Sequence, residues 1–367
     1  MNTPNLDDYT EKKERLRTYM EMNGYDSIIL SKRENFAWFT CGGDNKVLRN
    51  SDDGSGILVI SKNSVIFLAY YMDSDRIYDD ELQGLDIEKK VMYWYEGDRC
   101  EYAMKFTNGK VAADSNIKGA DNRWYDFVQL HYPLTENEVK RYRELGAVCD
   151  GLLTDIAGKI NPGMSEHDIE AEILYAYGKH NMTPKVLLVG TDERIEKYRH
   201  PNASSKKLKK LVLIHPAVEK NNLHANITRM IYFGDKLPEE LEKKYDLLNY
   251  LQAQFFSMAK TGIGYLDIYN ERKKILDENG YPDEWKYHAM GCITGYVLGT
   301  DLPFINNEAV KKNMPLDIYI TLRGAKVEEL AITGDNGAEV LSATGKWPLK
   351  GYEYKEKLYH LPAIMLK

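Results

Sequence analysis

The sequence predicts a mixed α/β (α+β) chain of two domains. Three observations carry that reading. Its 367 residues exceed what one ordinary hydrophobic core organises. Amphipathic helical stretches alternate along it with short β-like runs. A break at His131-Tyr132-Pro133-Leu134-Thr135 divides it, because Pro133 pushes the residue before it out of helix. The expected domains are residues 1–133 and 134–367.

In the first domain, Thr10 is the expected cap of a helix carrying Leu16, Tyr19 and Met20, and Gly24 its stop. Ser27–Leu30, Phe36–Phe39, Ile57–Ile60 and Val65–Tyr71 read as strands, with Lys62–Ser64 a turn between the last two. Helical stretches follow near Asp73–Leu82 and Tyr102–Phe106, then a strand at Val111–Asp114. In the second domain, Thr135 and Glu138 have the spacing of a capping box for a long helix toward Ile160, broken by Asn161-Pro162-Gly163. Ser165 and Asp168 open the next helix, which ends near Lys179. Strands are expected at Lys185–Gly190, Lys210–Val218 and His224–Gly234, helices at Pro238–Lys260 and Tyr265–Asn279, and β-like segments around Gly295, Ile318 and Glu328.

Composition narrows the function classes. No run approaches the roughly 18–20 apolar residues of a membrane helix, and the first residues are polar throughout, so a cytoplasmic protein without signal peptide or membrane partner is expected. A net charge of -7 argues against a nucleic-acid partner. The cysteines Cys41, Cys100, Cys149 and Cys292 are far apart and form no CxxC, which fits a reducing compartment better than a disulfide framework or zinc knuckle.

Several fragments, taken in order, resemble the M24 superfamily with its pita-bread fold: Xaa-Pro aminopeptidases, prolidases, methionine aminopeptidases and creatinase. Gly24-Tyr25-Asp26, Ser27–Leu30 and Asn35–Gly43 resemble a creatinase-type N-terminal domain. Leu134-Thr135-Glu136-Asn137-Glu138 resembles the entry to the catalytic domain, Asn161–Glu166 its next turn, and Ile227-Thr228-Arg229 followed by Gly234 the family's Asp-Ile-Thr-Arg strand. The resemblance implies a creatinase-type α/β domain followed by a pita-bread domain, commonly in a homodimer.

Active M24 peptidases hold two divalent metals through two Asp, one His and two Glu, because bridging carboxylates keep two hard cations roughly 3.5–4 Å apart around a shared water. Carried over, the first Asp falls on His215 and the second, eleven residues on, on Asn226. The ligand His falls on Cys292, the first Glu on Tyr319, and the last Glu is retained as Glu328. Removing three anionic ligands implies no metal cofactor; the alternative is a single Zn or Mn, for instance Zn on His215, Cys292 and Glu328.

The resemblance also nominates His200, in Tyr198-Arg199-His200-Pro201, as the histidine that moves protons near the scissile bond; otherwise it is a loop histidine beside a proline. His288 matches another pocket histidine. His224 shares a strand face with Asn226, so it lines the same pocket or sits at an exposed strand end. Cys292 is a nucleophile or a small core residue. Glu328 acts as acid or base, clamps a cationic group, or is a strand carboxylate paired with Lys326 or Arg323. Trp38 is strand core or, in a creatinase-type dimer, an aromatic wall of the partner's pocket. The expected function is a metal-free hydrolase of a C–N bond in a small molecule or short peptide. Catalysis is assigned to His200, His288 and Glu328, and substrate binding to His215, His224, Asn226, Cys292, Tyr319 and Trp38. The alternatives are a catalytically dead binding protein and a metal-dependent Xaa-Pro peptidase.

Overall fold

The computed structural model describes residues 3–300 and 307–367. They fall into two compact units, Met1–Asn137 with Asn221–Leu223, and Glu138–Lys220 with His224–Lys367.

The first unit runs α1 (Leu6–Asn23), β1 (Ser27–Lys32), α2 (Arg33–Phe39), β2 (Asp53–Ser61), β3 (Val65–Tyr70), α3 (Tyr71–Glu81), β4 (Glu88–Met92), α4 (Arg99–Ala103), β5 (Val111–Ala113), β6 (Asp121–Asn122) and α5 (Trp124–Leu130). Its six strands form one mixed sheet in the order β4-β3-β2-β1-β5-β6. Strand β1 is antiparallel to β2 and parallel to β5, and its residues Ser27–Ser31 are buried. Helix α1 begins earlier than Thr10 because Asn5 is the cap: its Oδ1 accepts from the Asp8 N–H at 3.0 Å. Thr10 instead donates back to the Leu6 carbonyl at 2.8 Å. Gly24 ends the helix in the left-handed region, φ 68°.

The expected strand at Phe36–Phe39 is helix α2. All of Asn35–Phe39 is buried, and a short apolar run with no polar face does not separate a buried strand from a buried helix. Thr40 closes that helix, its hydroxyl donating to the Phe36 carbonyl at 2.7 Å.

The second unit contains α6 (Glu136–Lys159), α7 (Glu166–Lys179), β7 (Thr183–Thr191), α8 (Glu193–Lys197), β8 (Leu211–Lys220), β9 (Leu223–Asn226), β10 (Arg229–Tyr232), α9 (Glu239–Met258), α10 (Tyr265–Glu278), β11 (Cys292–Ile293), β12 (Pro315–Leu322), β13 (Ala325–Ile332), β14 (Glu339–Val340), β15 (Leu349–Tyr354), β16 (Lys357–Pro362) and β17 (Met365–Leu366). One sheet has the order β17-β10-β8-β7 with β9 beside β8; a second has the order β11-β12-β13-β14; β15 and β16 form a hairpin that the sequence did not foretell. Ser165 and Asp168 form the expected capping box at α7.

The run His224–Gly234 is not one strand. It leaves the ladder at Ile227 and Thr228, and the Thr228 N–H donates to the Glu328 carbonyl of β13 at 3.1 Å. This antiparallel bridge couples the two sheets, and the cavity described below lies where they meet. Helix α9 packs on β12 and β13, with buried Gln252 donating to the Ile318 carbonyl at 2.7 Å.

Candidate active site

A cavity of about 500 Å³ opens in the second unit. Strand periodicity builds its walls. Successive side chains on a strand point to opposite faces, so β7 contributes Val186 and Leu188, β8 His215 and Ala217, β12 Asp317 and Tyr319, and β13 Lys326 and Glu328. Asn226 comes from the end of β9. His200 and Asn202 come from the segment after α8, and His288, Cys292 and Leu298 from the segment around β11. Pro201 presses onto β7 where a Cβ on Gly190 would stand 2.6 Å from its Cγ, so only glycine admits that approach. Arg199 donates to the Thr321 carbonyl at 2.9 Å and pairs with Glu284, which fixes the chain on the other side of His200. Fully buried Arg272 donates to the carbonyls of Met290 and Leu251, tying the approach to β11 onto α9.

Glu328 is the centre of the polar wall and is buried. Its Oε2 receives the Thr228 hydroxyl at 2.7 Å, lies 2.6 Å from His215 Nδ1, and lies 2.8 Å from the Lys326 ammonium. Lys326 and Glu328 share a face of β13, so this ion pair follows from a spacing of two. Burial raises the cost of a charged Glu328, but the neighbouring His215, Lys326 and their hydrogen bonds outweigh it and hold the carboxyl well below the usual range. His215 is pushed the other way: burial first, and Lys326, favour its neutral ring against the pull of Glu328. A buried neutral ring cannot also be the counter-ion. We assign the positive charge to Lys326 and a neutral His215 whose Nδ1–H donates to Glu328.

Asp317 occupies the neighbouring corner. Its Oδ2 accepts from Asn226 Nδ2 at 2.7 Å and from the Cys292 thiol at 3.8 Å. Burial, then the charge of Glu328, pushes its pKa well above the ordinary value. Of two adjacent carboxyls, the one beside the lysine keeps its charge and the other holds the proton.

His200 and His288 stack edge to face with ring centroids 5.1 Å apart, and His288 lies 5.0 Å from the Tyr319 ring. His288 Nδ1 meets the Thr321 hydroxyl at 3.1 Å. Burial and the nearby Lys326 lower both histidines, His288 to about 4. Both rings are therefore neutral at pH 7, as a proton acceptor must be.

The structure thus brings together His200, His215, Asn226, His288, Cys292, Tyr319 and Glu328. Two expected residues do not join them. His224 is turned away, with its Nδ1 2.9 Å from the Gly295 carbonyl and its Nε2 4.0 Å from Glu219. It shares the strand parity of Asn226 but sits two residues nearer the β8–β9 turn, where different partners are in reach. Trp38 is fully buried in the first unit, 5.1 Å from the His131 ring, because its segment is helix α2 packed into that unit's core. It offers no exposed face to any pocket. Conversely, sequence reasoning passed over Asp317 and Thr228 and treated Lys326 only as a pairing partner; the period of two from Tyr319 and Glu328 was the available signal. Among the described residues, no group of three or more His, Cys, Asp or Glu side chains is placed to hold a metal ion. Nor is any described helix long and apolar enough to cross a membrane.

Two coupled sheets with a cavity at their junction define a pita-bread domain. Residues 140–331, just over half of the chain, match metallopeptidase family M24, and the chain belongs to that family. Among solved structures it is similar to an Xaa-Pro dipeptidase from Bacillus anthracis (18% identity, TM-score 0.74, covering 98% of this chain and 100% of that one). It is also similar to the prolidase of Pyrococcus horikoshii (19%, 0.74, 91% and 98%) and to an X-Pro aminopeptidase from Thermotoga maritima (17%, 0.72, 97% and 99%). A comparison with curated protein sequences finds no match.

Proposed function

We propose that the chain hydrolyses a C–N bond in a small polar molecule or short peptide without the paired metals of its family. One observation carries this reading: Glu328, the carboxylate retained from the ligand set, already holds the Lys326 ammonium at 2.8 Å. A second cation there would meet that charge at close range. The remaining positions, His215, Asn226, Cys292 and Tyr319, supply no carboxylate, so the donor set does not fit two hard cations.

The chemistry then falls to side chains. Neutral His200 takes a proton from water as the water oxygen bonds to the substrate carbonyl carbon. The Lys326 ammonium on the same wall supplies positive potential for the oxygen that gains charge. As the C–N bond breaks, the protonated His200 returns its proton to the leaving nitrogen, and the products are an acid and an amine. The solved relatives are named for Xaa-Pro peptidases. A bond to proline is one C–N bond, so Xaa-Pro dipeptides belong among the substrates assayed.

Two measurements test the proposal. Elemental analysis of purified, dialysed protein is expected to find no stoichiometric Mn, Co or Zn; about two metals per chain would replace this reading with a metal-dependent peptidase. Hydrolysis in the presence of chelator is expected to fall by roughly 10²–10⁴ in His200→Ala, the usual worth of an acid–base group. If no C–N substrate turns over while ligands still bind, the chain is a binding protein.

A further inference from the structure

The first unit carries an aromatic patch on its surface. Tyr71 and Met72 open α3, and Tyr93-Trp94-Tyr95-Glu96 makes a short helical turn after β4. The Tyr93 ring stacks 5.9 Å from Tyr71 and 5.7 Å from Tyr95, and Trp94 meets Tyr95 edge to face at 5.8 Å. Their outer faces stay in water: Trp94 is 70% exposed and Tyr95 68%, and Tyr71, Met72 and Tyr93 are exposed beside them. Apolar side chains scattered singly on a surface need no explanation, whereas four rings joined in one exposed patch mark a docking surface. The charge around the patch says what docks. Residues 70–99 hold nine acidic and four basic side chains, a net charge of -5 within a chain of -7. All four cations are engaged: Lys89 with Asp75, Lys90 with Glu88, Arg76 with Glu81 at 3.6 Å, and the Arg99 guanidinium 5.0 Å over the Tyr70 ring. Asp73 lies two residues beyond Tyr71, and Glu96 and Asp98 follow the exposed rings. Glu96 accepts from the Tyr93 N–H, and Asp98 from the N–H groups of Cys100 and Glu101. None of the three pairs with a cation among the described residues.

We propose that this patch docks an arginine-rich segment of another protein. Unpaired carboxylates beside open ring faces match a guanidinium, which stacks on a ring with its plane and donates to a carboxylate with its edge. Arg99 on Tyr70 is the same contact made within the chain. Single-stranded nucleic acid also stacks on exposed rings, but its phosphates meet the same anions. The proposal is independent of the cavity and of the cleavage reading.

The test is fluorescence anisotropy with the full chain and fluorescein-labelled nona-arginine, nona-lysine and oligothymidylate as probes, at about 0.15 M salt. Circular dichroism is the fold control. Nona-arginine is expected to bind most tightly and oligothymidylate not at all. Trp94→Ala combined with Tyr95→Ala removes two rings and keeps every charge. The expected loss is about tenfold, the scale of two exposed cation–π contacts. Should that double variant unfold, Trp94→Ala alone replaces it, with a loss of about threefold. Asp73→Asn, Glu96→Gln and Asp98→Asn together keep the rings and the cap acceptors and remove three charges. Binding should weaken by a similar factor and depend less on salt. The proposal is overturned if nona-arginine fails to bind, or if nona-lysine or oligothymidylate binds equally well. It is overturned if folded ring variants bind nona-arginine like the parent, which leaves only the general acidity of the chain. It is also overturned if ultracentrifugation finds a dimer that Trp94→Ala with Tyr95→Ala converts to monomer, because a second copy then covers the patch.

Discussion

Glu328 and Glu329 are successive residues of β13, equally buried at 2% exposure, and they serve opposite ends. Glu329 faces a cluster in which the carboxylate oxygens all accept hydrogen bonds. Arg229 pairs with it and, at 2.9 Å, with Asp150; Ser342 donates to it at 2.6 Å; Thr344 donates to Asp150 through both its N–H and its hydroxyl. The Arg229 guanidinium lies 5.6 Å from the Trp347 ring centre, and no residue of the cluster lines the cavity. Glu328, on the other face, is equally well supplied with donors but borders the cavity. The difference teaches how to separate structure from chemistry at equal burial: a polar cluster shut away from the cavity holds the fold, and one that borders the cavity is placed to address a ligand.

The most severe way to break the comparison is Arg229→Ala. It strands two buried carboxyls, and removing one partner of a buried ion pair costs about 3–5 kcal/mol. Urea unfolding should show that loss; a change below about 1 kcal/mol would mean the cluster is not what holds β10 to β13. Lys326→Met comes next. Glu328 keeps His215 and Thr228, so the expected loss is smaller, about 1–3 kcal/mol, the cost of leaving one buried group short of a partner. Combining it with Glu328→Gln should recover most of that loss, since a neutral pair has no charge to solvate. A double variant as unstable as the single would show that packing, rather than the ion pair, matters here.

The parts of this site legible in the sequence were those with fixed spacing. The interval of eleven between His215 and Asn226, and the Lys326-Val327-Glu328-Glu329 pattern, mark two walls in the sequence itself. Asp317 stayed hidden because the resemblance directed attention to Tyr319, and nothing local says which of two same-face residues carries the chemistry. His224 was misplaced because parity gives a face, whereas the contacts along that face depend on where the strand ends. The two strand–helix and cap errors have a similar origin. Phe36–Phe39 is too short and too uniformly apolar for its period to be read, and Asn5 and Thr10 are both N-cap types, of which Asn is the more favoured.

Asp317→Asn sharpens the comparison through pH. The folded pKa of Asp317 is raised, so the folded chain binds a proton that the unfolded chain releases above its ordinary value. Its contribution is therefore fully present at low pH and lost as pH rises. Asparagine imitates the protonated form and does not titrate. The variant should gain thermal stability over the parent at pH 8 compared with pH 5; an equal difference at both pH values would mean that Asp317 is already ionised in the fold. Glu329, pushed up to about 7 chiefly by burial against the pull of Arg229, adds a background of the same sign in both proteins.

The smallest expected effect lies at His288, and its sign is opposite. Burial, then Lys326 and His200, lower its pKa from 6.5 to about 4. Above pH 6.5 neither the folded nor the unfolded chain protonates it, so stability is unaffected. Between 6.5 and about 4 the unfolded chain binds the proton and the folded chain does not, so stability falls as pH falls through this window. His200, lowered for the same first reason, adds to the slope. His288→Phe keeps a ring beside His200 and Tyr319 while removing the titrating group, so the melting temperature of the variant should fall less steeply over that window than the parent's. The loss of the 3.1 Å contact with Thr321 shifts the whole curve and leaves its slope unchanged, which separates the two effects in one titration. An unaltered slope would mean that the cavity admits enough water to keep His288 near its ordinary value. The neutral base at His200 would then need another explanation, because the same burial is what keeps that ring neutral.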